Sequence, residues 1–282
     1  MRLKFSAIGL LVIWLAGAAI AEQQLFFADL WNSAAYYGTN IERKSFNSIL
    51  ARFEGKLGIN VVDLPLQAYG VYYGVAAQSN DYWDNAIYYG AGLRFRPLAG
   101  YAGSNWTDEW LRDLKVYYEP LTATYLKNAS SGEANPRQDT RYGLDLWHEW
   151  NLDNYNPALP WGEIWSNLSF RSTNFAQADF NSYIFYFQPK LGWHLGRGIE
   201  TYLKTDITSS PRNDYWLNVA DYGVGLRFEP WRQMYLNTDN LLKKFKMFIE
   251  VLGVSYLKDQ PADSTKNVTN DVRFGIDFSL GR

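Results

Sequence analysis

From residue 26 onward the chain is written in short runs in which apolar and polar side chains alternate. Tyr89, Ala91, Leu93 and Phe95 fall on one side of an extended chain, and Gly90, Gly92, Arg94 and Arg96 fall on the other. Tyr222, Val224, Leu226 and Phe228 oppose Gly223, Gly225, Arg227 and Glu229 in the same way, and Phe274, Ile276, Phe278 and Leu280 oppose Arg273, Gly275, Asp277 and Ser279. A period of two predicts strands. Twelve such segments are expected, at approximately 26–37, 47–60, 66–77, 86–97, 111–127, 140–150, 163–173, 181–195, 199–207, 219–231, 243–258 and 271–280, with turn-rich stretches between them.

The segments repeat. Asn80-Asp81-Tyr82-Trp83 returns as Asn213-Asp214-Tyr215-Trp216, and Tyr89-Gly90-Ala91-Gly92-Leu93-Arg94-Phe95 returns as Tyr222-Gly223-Val224-Gly225-Leu226-Arg227-Phe228, both at the same spacing. Lys56-Leu57-Gly58 pairs with Lys190-Leu191-Gly192, and Arg141-Tyr142-Gly143-Leu144-Asp145 with Arg273-Phe274-Gly275-Ile276-Asp277, with small drifts that fit loops of changed length. Collinear matches of this kind predict two six-strand units, about 25–150 and 160–282. Doubling six gives an even strand number, as bacterial outer-membrane barrels have.

Composition then decides which side the apolar rows face. After the N-terminal region no apolar run is long enough to cross a bilayer as a helix, yet aromatics make up 17% of the chain, with 21 Tyr and 12 Trp. Aromatic rings with a polar tip suit a surface divided between hydrocarbon and water. Arg2 and Lys4, an apolar run from Ala7 to Ala19 and the small residues up to Ala21 predict a cleaved export signal over 1–21, leaving 22–282 as one barrel. The fold class expected is therefore all-β: a transmembrane antiparallel β-barrel of about 12 strands, internally duplicated, in the bacterial outer membrane. Its partners would be outer-membrane lipid and, during insertion, barrel-assembly machinery. Gly275-Ile276-Asp277-Phe278-Ser279-Leu280 resembles the C-terminal signal that such machinery recognises, although the chain ends in Gly281-Arg282 and not in an aromatic residue.

With 27 Lys and Arg against 29 Asp and Glu, the net charge of -2 indicates no attraction to nucleic acid, and the absence of Cys removes thiolate and disulfide chemistry. In a barrel the polar rows turn inward. The positions that carry the same charge in both units are the best lumen-lining candidates: Lys56 and Lys190, Arg94 and Arg227, Lys115 and Lys246, Glu119 and Glu250, Asp145 and Asp277. They read either as a salt-bridged filling of the barrel or as a path that binds hydroxyl-rich solutes. No catalytic residue, metal or cofactor is expected. The two histidines, His148 and His194, lie near strand ends without a nucleophile at a suitable spacing and read as interfacial residues, which ranks an outer-membrane hydrolase last. With the N-terminus in the periplasm, the loops 128–138 and 260–270 are expected outside the cell, and the connections 98–110 and 151–160 on the periplasmic side.

The Asn-Asp-Tyr-Trp loop leading into Tyr-Gly-x-Gly-Leu-Arg-Phe-x-Pro, at 80–97 and 213–230, resembles the C-terminal barrel of phage-adsorption outer-membrane proteins. That barrel is similar in turn to those of cellulose and other exopolysaccharide secretion subunits. The resemblance implies a channel or channel accessory for a surface polysaccharide, partnered by saccharide and a periplasmic export complex. It equally implies a closed barrel used as a surface receptor or assembly factor. The periplasmic helical repeats that those proteins carry ahead of the barrel have no counterpart in this sequence.

Overall fold

The computed structural model describes residues 25–40, 47–61, 64–79, 81–99, 110–127, 135–152, 156, 158–174, 181–232, 241–258, 260–263 and 267–280. The expected export signal lies outside the described residues, as do most of the 98–110 connection and parts of the loops 128–138, 151–160 and 260–270. Twelve strands form a single sheet: β1 (Phe26–Thr39), β2 (Ser48–Asn60), β3 (Leu66–Ala77), β4 (Ala86–Phe95), β5 (Leu114–Tyr125), β6 (Arg137–Trp150), β7 (Trp161–Thr173), β8 (Ser182–Gly196), β9 (Ile199–Ser209), β10 (Val219–Phe228), β11 (Phe245–Tyr256) and β12 (Asn270–Leu280). Each is antiparallel to its chain neighbours, and β1 pairs with β12, Leu30 opposite Leu280 and Thr39 opposite Asp271, so the sheet closes. Closure gives every strand a partner on both sides and leaves no open edge. The strand β6 begins three residues before the expected 140, and β5 three residues after the expected 111.

Alternation sorts the side chains as a membrane barrel requires. On β10, Leu226 is 48% exposed and its neighbour Arg227 only 5%. Tyr89, Leu93 and Phe95 on β4 and Phe274 and Ile276 on β12 are likewise exposed, whereas Arg94 is buried. The apolar residues form the outer surface and the charged residues the enclosed one.

The glycines of the Tyr-Gly-x-Gly-Leu-Arg segments have a packing reason. A Cβ at Gly92 would run into the ring of Tyr69, and one at Gly225 into the ring of Tyr202. The bare backbone of β4 lets Tyr69, on β3, lie across it and donate its hydroxyl to Glu119 on β5 at 2.9 Å. Tyr202 crosses β10 to reach Glu250 on β11 at 2.8 Å. Each tyrosine thus ties together three strands.

The connections β3–β4 and β9–β10 are pinned by one asparagine each. Asn85 Oδ1 accepts from the Ala77 amide and Nδ2 donates to the carbonyls of Ser79 and Asp81. Asn218 Oδ1 accepts from the Ser210 amide at 3.1 Å, and Nδ2 donates to Arg212 and Asp214 at 2.7 and 2.9 Å. A lysine of the next hairpin adds to each: Lys127 Nζ donates to the carbonyls of Ala77, Gln78 and Ser79, and Lys258 Nζ to those of Ser210 and Pro211. Because Asn218 is fully buried, Asn218→Ala would leave a buried amide and two carbonyls without it. A loss of about 1–3 kcal/mol is expected. It is to be read as a lower urea midpoint at unchanged slope for barrels refolded in lipid vesicles.

A charged lumen in two matching halves

The lumen encloses about 770 Å³ and is lined by side chains of all twelve strands. All ten residues singled out from the repeated sequence line it: Lys56, Arg94, Lys115, Glu119 and Asp145 from one half, and Lys190, Arg227, Lys246, Glu250 and Asp277 from the other. They fall into two arrays on opposite walls, since corresponding strands stand six places apart in a ring of twelve.

Near the rim that carries the β2–β3 and β8–β9 connections, an arginine anchors each array. Arg94 Nε donates to Gln67 at 2.6 Å and Nη1 to Asp29 at 2.7 Å, while Gln67 donates to Asn60 at 2.6 Å. Its guanidinium lies 4.8 Å from the ring of Phe27. In the second array Arg227 Nε donates to Glu200 at 2.6 Å, stands 3.7 Å from Glu163, and covers the ring of Trp161 at 4.3 Å. Lys190 pairs with Glu163. Where the first array has neutral Gln67 and Asn60, the second has Glu200 and His194, with His194 Nδ1 2.8 Å from Glu200 Oε1.

The extra carboxylate has drawn in a cation from outside the sheet. Arg232, in the β10–β11 connection, reaches Glu229 at 2.5 Å and Glu200 at 3.3 Å, and donates to the Leu152 carbonyl at 2.6 Å. Leu152 itself packs on Trp161 and Tyr202 inside the ring. Leu152 of the β6–β7 connection and Arg232 of the β10–β11 connection therefore enter the lumen at the rim that carries the β2–β3 and β8–β9 connections.

At mid-height each array centres on a buried glutamate. Glu119 accepts from Tyr69 at 2.9 Å and from Tyr73 at 2.7 Å, and Lys56 stands 3.2 Å away. Glu250 accepts from Tyr202 and lies 3.0 Å from Lys204. Lys115 faces Asp145 across the β5–β6 ladder, and Lys246 faces Asp277 across β11–β12. Asp145 also accepts from Trp165 Nε1 at 2.9 Å.

His194 corrects an expectation. It is a lumen residue held in an ion cluster and not an interfacial one, because its position on β8 shares the parity of Lys190 and Gly192. His148 does lie on the outer face, near the end of β6, but it is covered. Its Nδ1 is 2.9 Å from Asp113 Oδ2, and the rings of Trp110 and Trp150 stand 5.0 and 6.1 Å from it. Arg171, Asp206 and Asp221 are lumen residues that the candidate pairs did not contain, because their counterparts in the other half are the tyrosines Tyr37, Tyr73 and Tyr88. Strand parity alone would have found them: Arg171 is in step with Glu163, and Asp206 with Lys204. Arg232 carries no periodic signal, since it sits in a connection.

Ion pairs on the enclosed side of a closed antiparallel sheet, with leucine, phenylalanine and tyrosine rows on the open side, are stable only with hydrocarbon around the ring. The chain is a β-barrel of the bacterial outer membrane. No family model and no curated protein matches its sequence. Among solved structures it is similar to the NanC porin, with 11% identity and a TM-score of 0.42 over 89% of this chain and 100% of that one. It is also similar to the KdgM porin in complex with disordered oligogalacturonate, at 8% identity and a TM-score of 0.39 over 89% and 99% of the two chains. An anion-selective porin from Comamonas acidovorans gives 9% and 0.36 over 90% and 99%. Overlaps this loose carry no functional argument, and the barrel assignment rests on the strand pairing and the sorting of side chains.

Proposed function

We propose that this barrel is a non-enzymatic channel that passes saccharides across the outer membrane. The observation that carries the reading is the lumen itself. It is a space of about 770 Å³ inside the ring, bounded by paired charges and by Tyr73, Tyr117, Trp147, Trp165 and Tyr186. Hydroxyl-rich solutes use those two kinds of surface: charged and amide groups bond the hydroxyls, and aromatic faces pack against the apolar face of a sugar ring. The charges are mostly paired, so a neutral solute meets no strong single-sign field. The resemblance of 80–97 and 213–230 to exopolysaccharide secretion barrels favours a saccharide leaving the cell, with a periplasmic export complex as the donor.

Both histidines have structural surroundings. His148 lies against Trp110 and Trp150 on the outer face, and His194 lies against Glu200.

Planar-bilayer recording tests the channel. Discrete steps are expected from the purified, refolded barrel, with current falling reversibly as neutral oligosaccharide is added. A folded barrel that never conducts would defeat the proposal and favour a closed barrel whose outer loops act as a receptor. Removing the crossing contact of Arg232 with Leu152 by Arg232→Ala is expected to raise conductance about twofold, since it frees the rim where these two residues enter the lumen. Unchanged current would show that the constriction lies elsewhere.

A further inference from the structure

The two halves of the lumen differ most in their charge toward the outer rim, where β6 meets β7 and, opposite, β12 meets β1. Arg141 and Arg273 occupy corresponding places at these joints. Arg273 is saturated with carboxylates: Nε reaches Asp271 at 2.7 Å, Nη1 Asp206 at 3.2 Å, and Nη2 Asp221 at 2.5 Å. Its partner across the β1–β12 ladder is Tyr37, whose ring lies 5.0 Å beneath it.

Around Arg141 the same places are filled differently. Tyr73 and Tyr88 stand where the other joint has Asp206 and Asp221, and their rings are 5.1 and 4.8 Å from the guanidinium. The cross-strand partner of Arg141 is a second arginine, Arg171. Asp139 pairs with Arg141 at 2.8 Å and also attracts Arg171, though from beyond ion-pair distance, so that one carboxylate stands against two guanidinium groups and no described carboxylate pairs with Arg171 directly. Arg171 donates to the Tyr186 hydroxyl at 3.2 Å, and its Nε is buried with no hydrogen-bond partner. Oδ1 of Asp139 is buried without a partner as well. Two like charges directly opposite each other oppose folding unless an anion answers them. Both guanidinium groups border the open lumen, so an anion can reach them.

We propose that Arg141 and Arg171 form a binding site for an oxyanion substituent on a saccharide, so that the channel selects acidic sugars. This deepens the channel reading and rests on it for its meaning. Two guanidinium groups on paired strands, both bordering the lumen, suit a carboxylate or a sulfate, which takes charge-assisted hydrogen bonds from them. Trp165 and Tyr186, stacked at 5.7 Å on the same wall, offer a flat surface on which the ring bearing that group lies. The opposite wall, with three aspartates around Arg273, repels the same substituent and receives neutral hydroxyls. The solute is thereby turned with its acidic edge toward β6 and β7.

Saturation-transfer NMR on the folded, detergent-solubilised barrel tests the site without any need for conduction. The probes are cellobiouronic acid and cellobiose, which differ by one carboxylate. The acidic disaccharide is expected to bind about tenfold more tightly. Arg171→Gln, which breaks no ion pair, is expected to reduce the ratio below about threefold, and Arg141→Gln to do the same, while Arg273→Gln retains it. Equal binding of the two disaccharides by the wild-type barrel overturns the proposal even if the variants fail to fold. A preference that survives in both Arg171→Gln and Arg141→Gln also overturns it. Conductance reports on the other reading separately: a conducting barrel without the preference removes this site alone, and a silent barrel with the preference removes only the channel.

Discussion

Glu119→Ala is expected to cost about 3–5 kcal/mol of unfolding free energy, the range found when one partner of a buried charge network is removed. The glutamate is fully buried, and three donors converge on it: Tyr69, Tyr73 and Lys56. Alanine would leave two phenolic hydroxyls without their acceptor and Lys56 with Glu54, 3.8 Å away, as its remaining ion-pair partner among the described residues. Tyr69 would also lose the reason for lying across β4, so the three-strand tie would open. Urea titration in lipid vesicles, followed by heat-modifiable migration on gels, measures the loss. Glu119→Gln keeps the shape and one acceptor oxygen for the tyrosines, so it is expected to recover about half. Destabilisation below about 1 kcal/mol for the alanine variant would mean that water reaches and replaces the carboxylate.

The second large effect is on the other face. Val224→Arg places a charge among the exposed apolar residues at the middle of β10, whose outward neighbours along the strand are Tyr222 and Leu226. In a barrel surrounded by lipid this costs about 2–4 kcal/mol near the bilayer midplane and less toward either interface. The same substitution on a water-exposed surface would change stability by about 0.5 kcal/mol or less. The two outcomes are far enough apart for a single refolding titration to decide between them, and indifference to the arginine would remove hydrocarbon from the outer surface.

Much of this architecture was legible because a strand's period of two maps directly onto inside and outside. Leu93 and Arg94, or Leu226 and Arg227, cannot exchange faces without a one-residue slip that would turn every other side chain of the strand over. The even strand number followed from the repeat, and the inversion of faces from the aromatic content. What the pattern could not supply was contact between strands distant in sequence. That Tyr69 spans Gly92 to reach Glu119 depends on the relative stagger of three strands, and alternation within any one of them says nothing of it. The repeat also concealed what it seemed to clarify: residues were weighed by being alike in both halves, whereas Arg171, Asp206 and Asp221 matter because their counterparts Tyr37, Tyr73 and Tyr88 are different. His194 was misplaced for a related reason, since nearness to a strand end does not decide on which side of the wall a ring sits.

The bond between β1 and β12 has one more implication. A circle of hydrogen-bonded strands has no first member, so nothing in the finished wall distinguishes the joint sealed by the two ends of the chain from the eleven that the chain runs through. Any preferred order of assembly must come from outside the final geometry, from the sequence in which segments arrive at the membrane and from whatever holds the early arrivals until the last one docks.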